Sequence, residues 1–225
     1  MSYALRVIRL LYHHSKIVTN MFATAKNEKK YAPSKDMLVF GIDEVGRGPL
    51  AGPITVAGVI LGGSINWERY NISDSKQCTK KKRDTLSPII TKNAQFFSIM
   101  CVSVEYINTY GIVAAFKKGI EHVVKKLYST LGNKNIVVLI DGSPIQCALP
   151  YTYRCVVKGD ETCISIAAAS IIAKVHRDKY MKKIHVSYPG YHWNTNKGYG
   201  TKAHREAITS LGITPHHRVQ FIHTR

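Results

Sequence analysis

The sequence predicts an α/β domain with a mixed central sheet flanked by helices and a helical C-terminal part. Three observations carry that expectation. Short apolar runs of strand length recur between residues 37 and 157, two long stretches show helical spacing, and the elements change order along the chain. The first three strand candidates succeed one another, as antiparallel neighbours do, whereas the later ones alternate with helices, as in helix–strand units.

Residues 37–42 (MLVFGI) form an apolar run fit for a buried strand, ending at Asp43-Glu44. A Gly/Pro-rich turn follows over 46–53, then a second strand over 54–61 (ITVAGVIL), so the two predict a long-looped hairpin. Residues 95–103 read as a third strand. Across 112–131, Val113, Phe116, Ile120, Val123, Val124 and Leu127 recur at helical spacing with lysines between them. Residues 136–140 (IVVLI) predict a buried strand that stops at Asp141-Gly142, and 153–157 another that stops before Lys158-Gly159-Asp160. A last long helix is expected over 165–184, its first half small and apolar enough to be buried. No internal repeat or low-complexity tract interrupts the chain, which predicts one domain over 36–225 preceded by a basic arm over 1–35.

Charge narrows the partners. Lys and Arg number 32 against 14 Asp and Glu, a formal net charge of +18. Such a field attracts polyanions by counterion release and long-range steering, which puts nucleic acid first. Hydrophobic residues make up 45% of the chain, enough for a core and too many for a disordered protein. No run approaches the ~18 apolar residues of a membrane span, so no membrane partner is expected. The five cysteines form no CxxC pair, which argues against a zinc knuckle or disulfide framework. Reduced thiols in a reducing compartment, the cytoplasm, are the expectation. Within the basic arm, Arg6, Arg9, His13 and Lys16 share one helical face and Ala4, Ile8 and Leu11 another. That pattern resembles an organelle transit peptide, with a disordered arm or a start at Met21 or Met37 as the alternatives.

The rare carboxylates fall where chemistry would need them: Asp43-Glu44, Asp141 and Asp160 all stand at strand ends, where open α/β sheets form ligand crevices. Carboxylates converging there stay ionised only if cations neutralise them, and hard divalent ions with oxygen ligands do so. In a protein this basic, a pair of such ions points to phosphodiester hydrolysis by a two-metal route. Each residue also has a plainer reading. Asp141 before Gly142 can start a turn, and Asp160 can cap the helix after it. Asp43 and Glu44 are adjacent, so in a regular strand they point to opposite faces, and both reach one site only where the strand ends or bulges.

The residues around those carboxylates resemble the ribonuclease HII family. The segment Asp43-Glu44-Val45-Gly46-Arg47-Gly48-Pro49-Leu50-Ala51-Gly52 is similar to the family's opening motif. The likeness continues through Asp74-Ser75-Lys76, Ile140-Asp141-Gly142, Val156-Val157-Lys158-Gly159-Asp160, the run from Ile166 to Val175 and Arg177-Asp178. It closes with Lys197-Gly198-Tyr199-Gly200-Thr201, His204 and His216-His217-Arg218. All blocks stand in the family's order and span residues 39–221.

The resemblance implies a ribonuclease H-like fold and a metal site of Asp43, Glu44, Asp141 and Asp160, with Glu44 acting through side chain or backbone. It implies two divalent ions, Mn²⁺ or Mg²⁺, and a monomer that acts on RNA–DNA hybrids and ribonucleotide-containing duplex DNA. Cutting 5′ of the ribonucleotide would leave 3′-hydroxyl and 5′-phosphate ends, in DNA replication and repair. By the same resemblance Gly46, Arg47 and Gly48 grip the substrate, Tyr199 packs on the neighbouring sugar, and Lys76, Lys174 and Lys197 contact phosphates. For the glycine segment a tight turn is the plainer reading, and for the lysines solvated surface charge. His204, His216 and His217 are poor candidates for ligands beside a carboxylate cluster that favours hard ions. Two features depart from the family pattern: Thr79-Lys80-Lys81-Lys82-Arg83 is unusually basic, and Cys78 replaces an aliphatic residue. A ribonuclease HIII is the nearest alternative, but it carries Gly-Thr-Gly at positions 46–48 and a longer N-terminal domain. From another class, a catalytically silent nucleic-acid-binding subunit would not need all four carboxylates.

Overall fold

The structure, a computed structural model, describes residues 23–34, 36–63 and 65–222. The stretch on which the transit-peptide expectation rests lies outside the described residues. In chain order the elements are α1 (Ala25–Glu28), β1 (Leu38–Val45), β2 (Ile54–Ile60), α2 (Lys80–Asn93), β3 (Phe96–Val102) and α3 (Val104–Leu131). They continue with β4 (Ile136–Asp141), β5 (Thr152–Val156), α4 (Gly159–Thr162), α5 (Ile164–Ser187), α6 (Trp193–Asn196), α7 (Lys202–Leu211) and α8 (Val219–Ile222). The five strands form one mixed sheet in the order β3-β2-β1-β4-β5. The pairs β1–β2 and β2–β3 are antiparallel, while β1–β4 and β4–β5 are parallel.

Period-two alternation divides the sheet's two faces. Phe40, Ile42, Val56, Val138 and Ile140 point to one side, where α3 covers them with Phe116, Ile120, Val123, Val124 and Leu127. Ala57 and Val59 point to the other, against Ala167, Ala168, Ile171 and Ile172 of α5 and Leu86 and Ile90 of α2. The small, apolar first half of α5 is buried on all sides because it lies directly on the sheet. Gly41 makes this possible: a Cβ there would stand 2.4 Å from the backbone of Ile166.

Two elements differ from the sequence reading. The helix expected over 112–131 begins earlier, at Val104, with Gly111 at φ 83° breaking the helical backbone just before the expected start. Helix α2 intervenes between the second and third strands, and packs on the same face as α5. The C-terminal part is helical as expected, and it builds a small core of its own from Ala51, Met181, Ile184, Tyr191, Trp193 and Ala207.

Residues 23–34 pack on the domain. Thr24 bridges Cys163, and the Glu28 carboxylate accepts hydrogen bonds from Ser165 N at 2.7 Å and Ser165 Oγ at 2.6 Å. Cys163 supplies no side-chain cap to α5, so Glu28 occupies the helix N-terminus in its place. No helix among the described residues is long and apolar enough to cross a membrane.

Candidate active site

The parallel register of β1 and β4 sets the site. Ile42 stands beside Ile140, so the side chains of the next residues, Asp43 and Asp141, project side by side on the α5 face. Asp141 Oδ1 accepts from the backbone N–H groups of Gly159 at 2.7 Å and Asp160 at 3.3 Å, which draws the short helix α4 and its Asp160 against the strand end. Asp43 is almost fully buried, and its Oδ1 accepts from Glu44 N at 2.7 Å. A fourth carboxylate enters from a loop: Asp74 is buried, and its charge helps to raise the proton affinity of Asp160. Its turn is pinned to α5 by Ser75 Oγ against Ser170 Oγ at 2.8 Å. Glu44 falls on the opposite side, because β1 runs on through Val45 without a bulge and Glu44 pairs in register with Val56. Its Oε1 meets Arg47 at 3.4 Å.

Crowding shows in the proton affinities. Burial, followed by the charges of Glu44 and Asp141, holds the Asp43 carboxyl well above the usual range despite a hydrogen bond from Ser170. Burial also raises Asp141 and Glu44, the latter against the pull of Arg47. Asp160 is pushed up to about 6 by burial and then by Asp141 and Asp74. Lys76 answers this field. Desolvation alone would lower it, but Asp74, Asp160, Asp43 and Asp141 raise it on balance. Its Nζ lies 3.8 Å from Asp160.

An all-oxygen set under such mutual repulsion suits a hard divalent cation. As the side chains stand, no three His, Cys, Asp or Glu among the described residues form a ready metal-holding group. Some oxygens face protein donors instead: both hydrogen bonds to Asp141 fall on Oδ1. Glu44 Oε2 is buried with no hydrogen-bond partner, the kind of orphaned acceptor that a cation would satisfy. The groups fit such ions, which Asp43, Asp141 and Asp160 could hold from the α5 side and Glu44 from the other.

Two buried arginines shape the loop beside this cluster. Among the described residues, neither makes an ion pair with a carboxylate. Arg177 donates to the carbonyls of Pro53, Lys197 and Ala51 at 2.9, 2.9 and 3.0 Å. Arg218 donates to those of Gly52, Arg47 and Gly46 at 2.9, 3.1 and 2.7 Å. Six carbonyls are thereby fixed on two rigid forks, an arrangement that suits the planar guanidinium and would not suit lysine. Gly46 takes φ 98°, and a Cβ on it would meet Arg177 Nε at 2.4 Å, so glycine is required there. At Gly48 a Cβ would find nothing within 4 Å. The tight-turn explanation therefore accounts for Gly46 and leaves Gly48 open.

A family profile described as ribonuclease HII matches residues 40–224. The chain belongs to the ribonuclease HII family. It is 42% identical over 200 residues to the ribonuclease HII of Ehrlichia chaffeensis, covering 89% of this chain and 93% of that protein. To the ribonuclease HII of Orientia tsutsugamushi (strain Ikeda) it is 44% identical over 187 residues, covering 82% and 85%. Among solved structures, it resembles the PCNA–ribonuclease HII complex from Archaeoglobus fulgidus, with TM-score 0.68, 24% identity and coverage of 81% of this chain and 94% of that one. It also resembles a Bst ribonuclease HIII in complex with Mn²⁺, with TM-score 0.63, 17% identity and coverage of 83% and 65%. Those likenesses establish the ribonuclease H-like fold. Ribonuclease HII enzymes are endoribonucleases that cleave the RNA of RNA–DNA hybrids, and this chain is one of them.

The other residues singled out from the sequence sit around this ribonuclease HII site in different ways. Arg47 is half-exposed, its guanidinium 5.1 Å from the centroid of the Phe116 ring. Tyr199 exposes its ring, and its carbonyl accepts from His204 Nδ1 at 2.9 Å. Lys174 is paired with Asp178 at 2.8 Å, and Lys197 Nζ with the carbonyl of Asn194. His204 and His217 are structural, and the His216 ring packs edge-on against Tyr188 and Trp193. Thr214 N donates to His217 Nδ1 at 2.9 Å, so the proton of that ring sits on Nε2, 3.2 Å from His204 Nε2. His204 Nε2 also accepts from Trp193 at 3.0 Å, which leaves its Nδ1 as the donor to Tyr199. With both rings neutral and their nitrogens engaged, no lone pair remains for a metal. Sequence reasoning missed Asp74, Arg177 and Arg218 as parts of the site. All three stand in motif blocks, but only burial separates them from surface charge.

Proposed function

We propose that the chain cuts on the 5′ side of single ribonucleotides embedded in duplex DNA, as well as within hybrids, and leaves 3′-hydroxyl and 5′-phosphate ends. Its role would be ribonucleotide removal during replication and repair, as a monomer with two ions, Mn²⁺ or Mg²⁺. The observation that carries this reading is the convergence of Asp43 and Asp141 on neighbouring strands with Asp160 on the short helix α4, with raised proton affinities that an ion would reverse. The Mn²⁺ in the Bst ribonuclease HIII structure supports the choice of ion. Bound there, divalent ions would neutralise charge on the phosphate and supply the Lewis acidity for its hydrolysis.

The chain's own groups do the rest. Asp43, Asp141 and Asp160 fix where the ions sit, with Glu44 contributing from the far side of β1. Backbone groups of Gly46, Arg47 and Gly48 read the 2′-hydroxyl, the one handle that separates RNA from DNA. Open space at Gly48 allows the sugar to approach the backbone closely. The exposed Tyr199 ring packs on the adjoining deoxyribose, and Lys76, Lys174 and Lys197 meet phosphates.

The test is a DNA duplex with one ribonucleotide, incubated with Mn²⁺ or Mg²⁺ and with chelator. Cleavage 5′ of the ribonucleotide, metal-dependent, with a 5′-phosphate on the downstream product, is the expected result. Cleavage of hybrids alone, or a product carrying a 3′-phosphate, would overturn the reading.

A further inference from the structure

A group of basic side chains lies together outside the carboxylate cluster. Between α2 and the second half of α5 lies a cleft of about 550 Å³, lined by Lys80, Arg83, Lys179 and Lys182 on an apolar floor that includes Ile99 and Val175. Lys174 and Lys197 adjoin it: Lys197 is lowered first by burial, and Lys182, Lys174 and Lys80 push it the same way against Asp178. Six cations thus face two carboxylates, and those are engaged, Asp84 with Lys80 and Asp178 with Lys174. Lys179 and Lys182 are exposed and make no ion pair among the described residues.

Arg83 joins this cleft to the site. Its Nη1 donates to the carbonyls of Ser75, at 2.7 Å, and Cys78, in the turn that carries Asp74 and Lys76. The spacing of the free cations also fits a nucleic-acid strand. Lys179 and Lys182 stand about 4.5 Å apart along the helix axis. Successive phosphates of one DNA strand rise ~3.4 Å, within the reach of two flexible ammonium groups.

We propose that the α2–α5 cleft is a further phosphate-binding surface, which holds the DNA backbone of one substrate arm beyond the cleavage site. It deepens the nuclease reading above and rests on it for the identity of the substrate. Contacts there are sequence-independent and electrostatic, and they position the duplex without reading it. The basic run at 79–83, unusual beside the family pattern, is the part of α2 that supplies the cleft's outer charge.

Binding in chelator to DNA duplexes with one embedded ribonucleotide, read by fluorescence anisotropy across a salt series, tests this without cleavage. The double variant Lys179→Gln/Lys182→Gln should bind a long duplex about tenfold more weakly at low salt, with the slope of log K against log salt reduced by about 1 to 2. On a duplex too short to extend past the cleavage site the loss should be much smaller. Lys125→Gln/Lys126→Gln, exposed on α3 across the sheet, removes the same charge and should change neither quantity. Matched melting temperatures establish that both variants are folded. An unchanged slope in the first variant, as expected if the cleft serves an acidic protein or a lipid surface instead, overturns the proposal. Equal losses in both variants also overturn it, because bulk charge would then explain the binding. Cleavage of the single-ribonucleotide duplex by the unaltered protein is measured alongside. Its absence would refute the nuclease reading while leaving the binding comparison to decide the cleft.

Discussion

Arg218→Lys perturbs the loop beside the carboxylates without touching them. The guanidinium is wholly buried and donates to the carbonyls of Gly52, Arg47 and Gly46. Lysine keeps the charge but offers one compact ammonium, which can reach at most one of three carbonyls so dispersed. A hydrogen bond to a charged donor contributes about 1.5–3 kcal/mol, so two lost bonds set a ceiling of roughly 3–6 kcal/mol. No relief comes from desolvation. Burial already draws Arg218 down to about 9, and an ammonium is more strongly hydrated than a guanidinium. Water entering the loop recovers part of the loss, leaving roughly 2–5 kcal/mol. At about 2–4 °C per kcal/mol for a chain of this size, the melting temperature should fall by roughly 5–15 °C. Circular dichroism reads that fall. Cleavage assayed well below the variant's midpoint should be reduced more than about tenfold, since a small misplacement of a binding loop is enough for such a loss. The stabilisation by Mn²⁺ should survive, because Asp43, Asp141 and Asp160 are untouched. Wild-type melting together with wild-type cleavage would refute the reasoning. Loss of the Mn²⁺ effect would show that Arg218 supports the carboxylates and not the loop.

Three further outcomes follow from the same geometry. Burial and then the neighbouring His204 ring depress His217 to about 4 from 6.5, so the unfolded chain binds the extra proton between those values. The stability advantage of wild type over His217→Gln should therefore be full above pH 6.5 and shrink as pH falls toward 4, by at most about 3 kcal/mol; a constant gap across urea melts contradicts this. Glu28→Ala removes the cap on α5 and should cost about 1–2 kcal/mol in thermal melts, and removing residues 1–35 at least as much, whereas an unchanged midpoint for both would mean that the contact is idle. Tyr199→Ala should slow cleavage of a single embedded ribonucleotide more than cleavage of a long hybrid, with Tyr199→Phe milder if ring packing dominates; equal losses on both substrates for the alanine variant would remove Tyr199 from junction choice.

What the sequence disclosed depended on how local the signal was. The strands at 37–42, 54–61 and 136–140 were legible because each is a continuous apolar run bounded by turn residues, as buried strands are. Helix α2 was not legible. Lys80, Lys81, Lys82 and Arg83 open it, Pro88, a residue that signals a helix break, stands inside it, and only Leu86 and Ile90 are buried, too few to mark a helical period. The start of α3 was hidden by Gly111, whose left-handed φ separates two helical pieces that sequence spacing cannot join. The carboxylates at strand ends were visible from position alone, but Asp74 reaches them from a loop whose path no local pattern predicts. Arg177 and Arg218 stand within motif blocks that disclose no role for them, since nothing in a linear sequence says that an arginine is buried among carbonyls. Glu28 shows the same limit from the other direction: composition assigned it to a basic arm, and tertiary contact makes it part of the domain.

The central claim is that Asp43 holds the divalent ions on which cleavage depends. The most direct test follows Mn²⁺ binding and turnover together in wild type and Asp43→Asn, on a duplex with one embedded ribonucleotide. In wild type, Mn²⁺ should raise the melting temperature and switch on cleavage, because the ion relieves the repulsion among buried carboxylates. Asp43→Asn should still bind the duplex, lose most of the Mn²⁺-dependent stabilisation and show no turnover. A variant that cleaves at near wild-type rate in saturating Mn²⁺, with the thermal shift intact, would contradict the account.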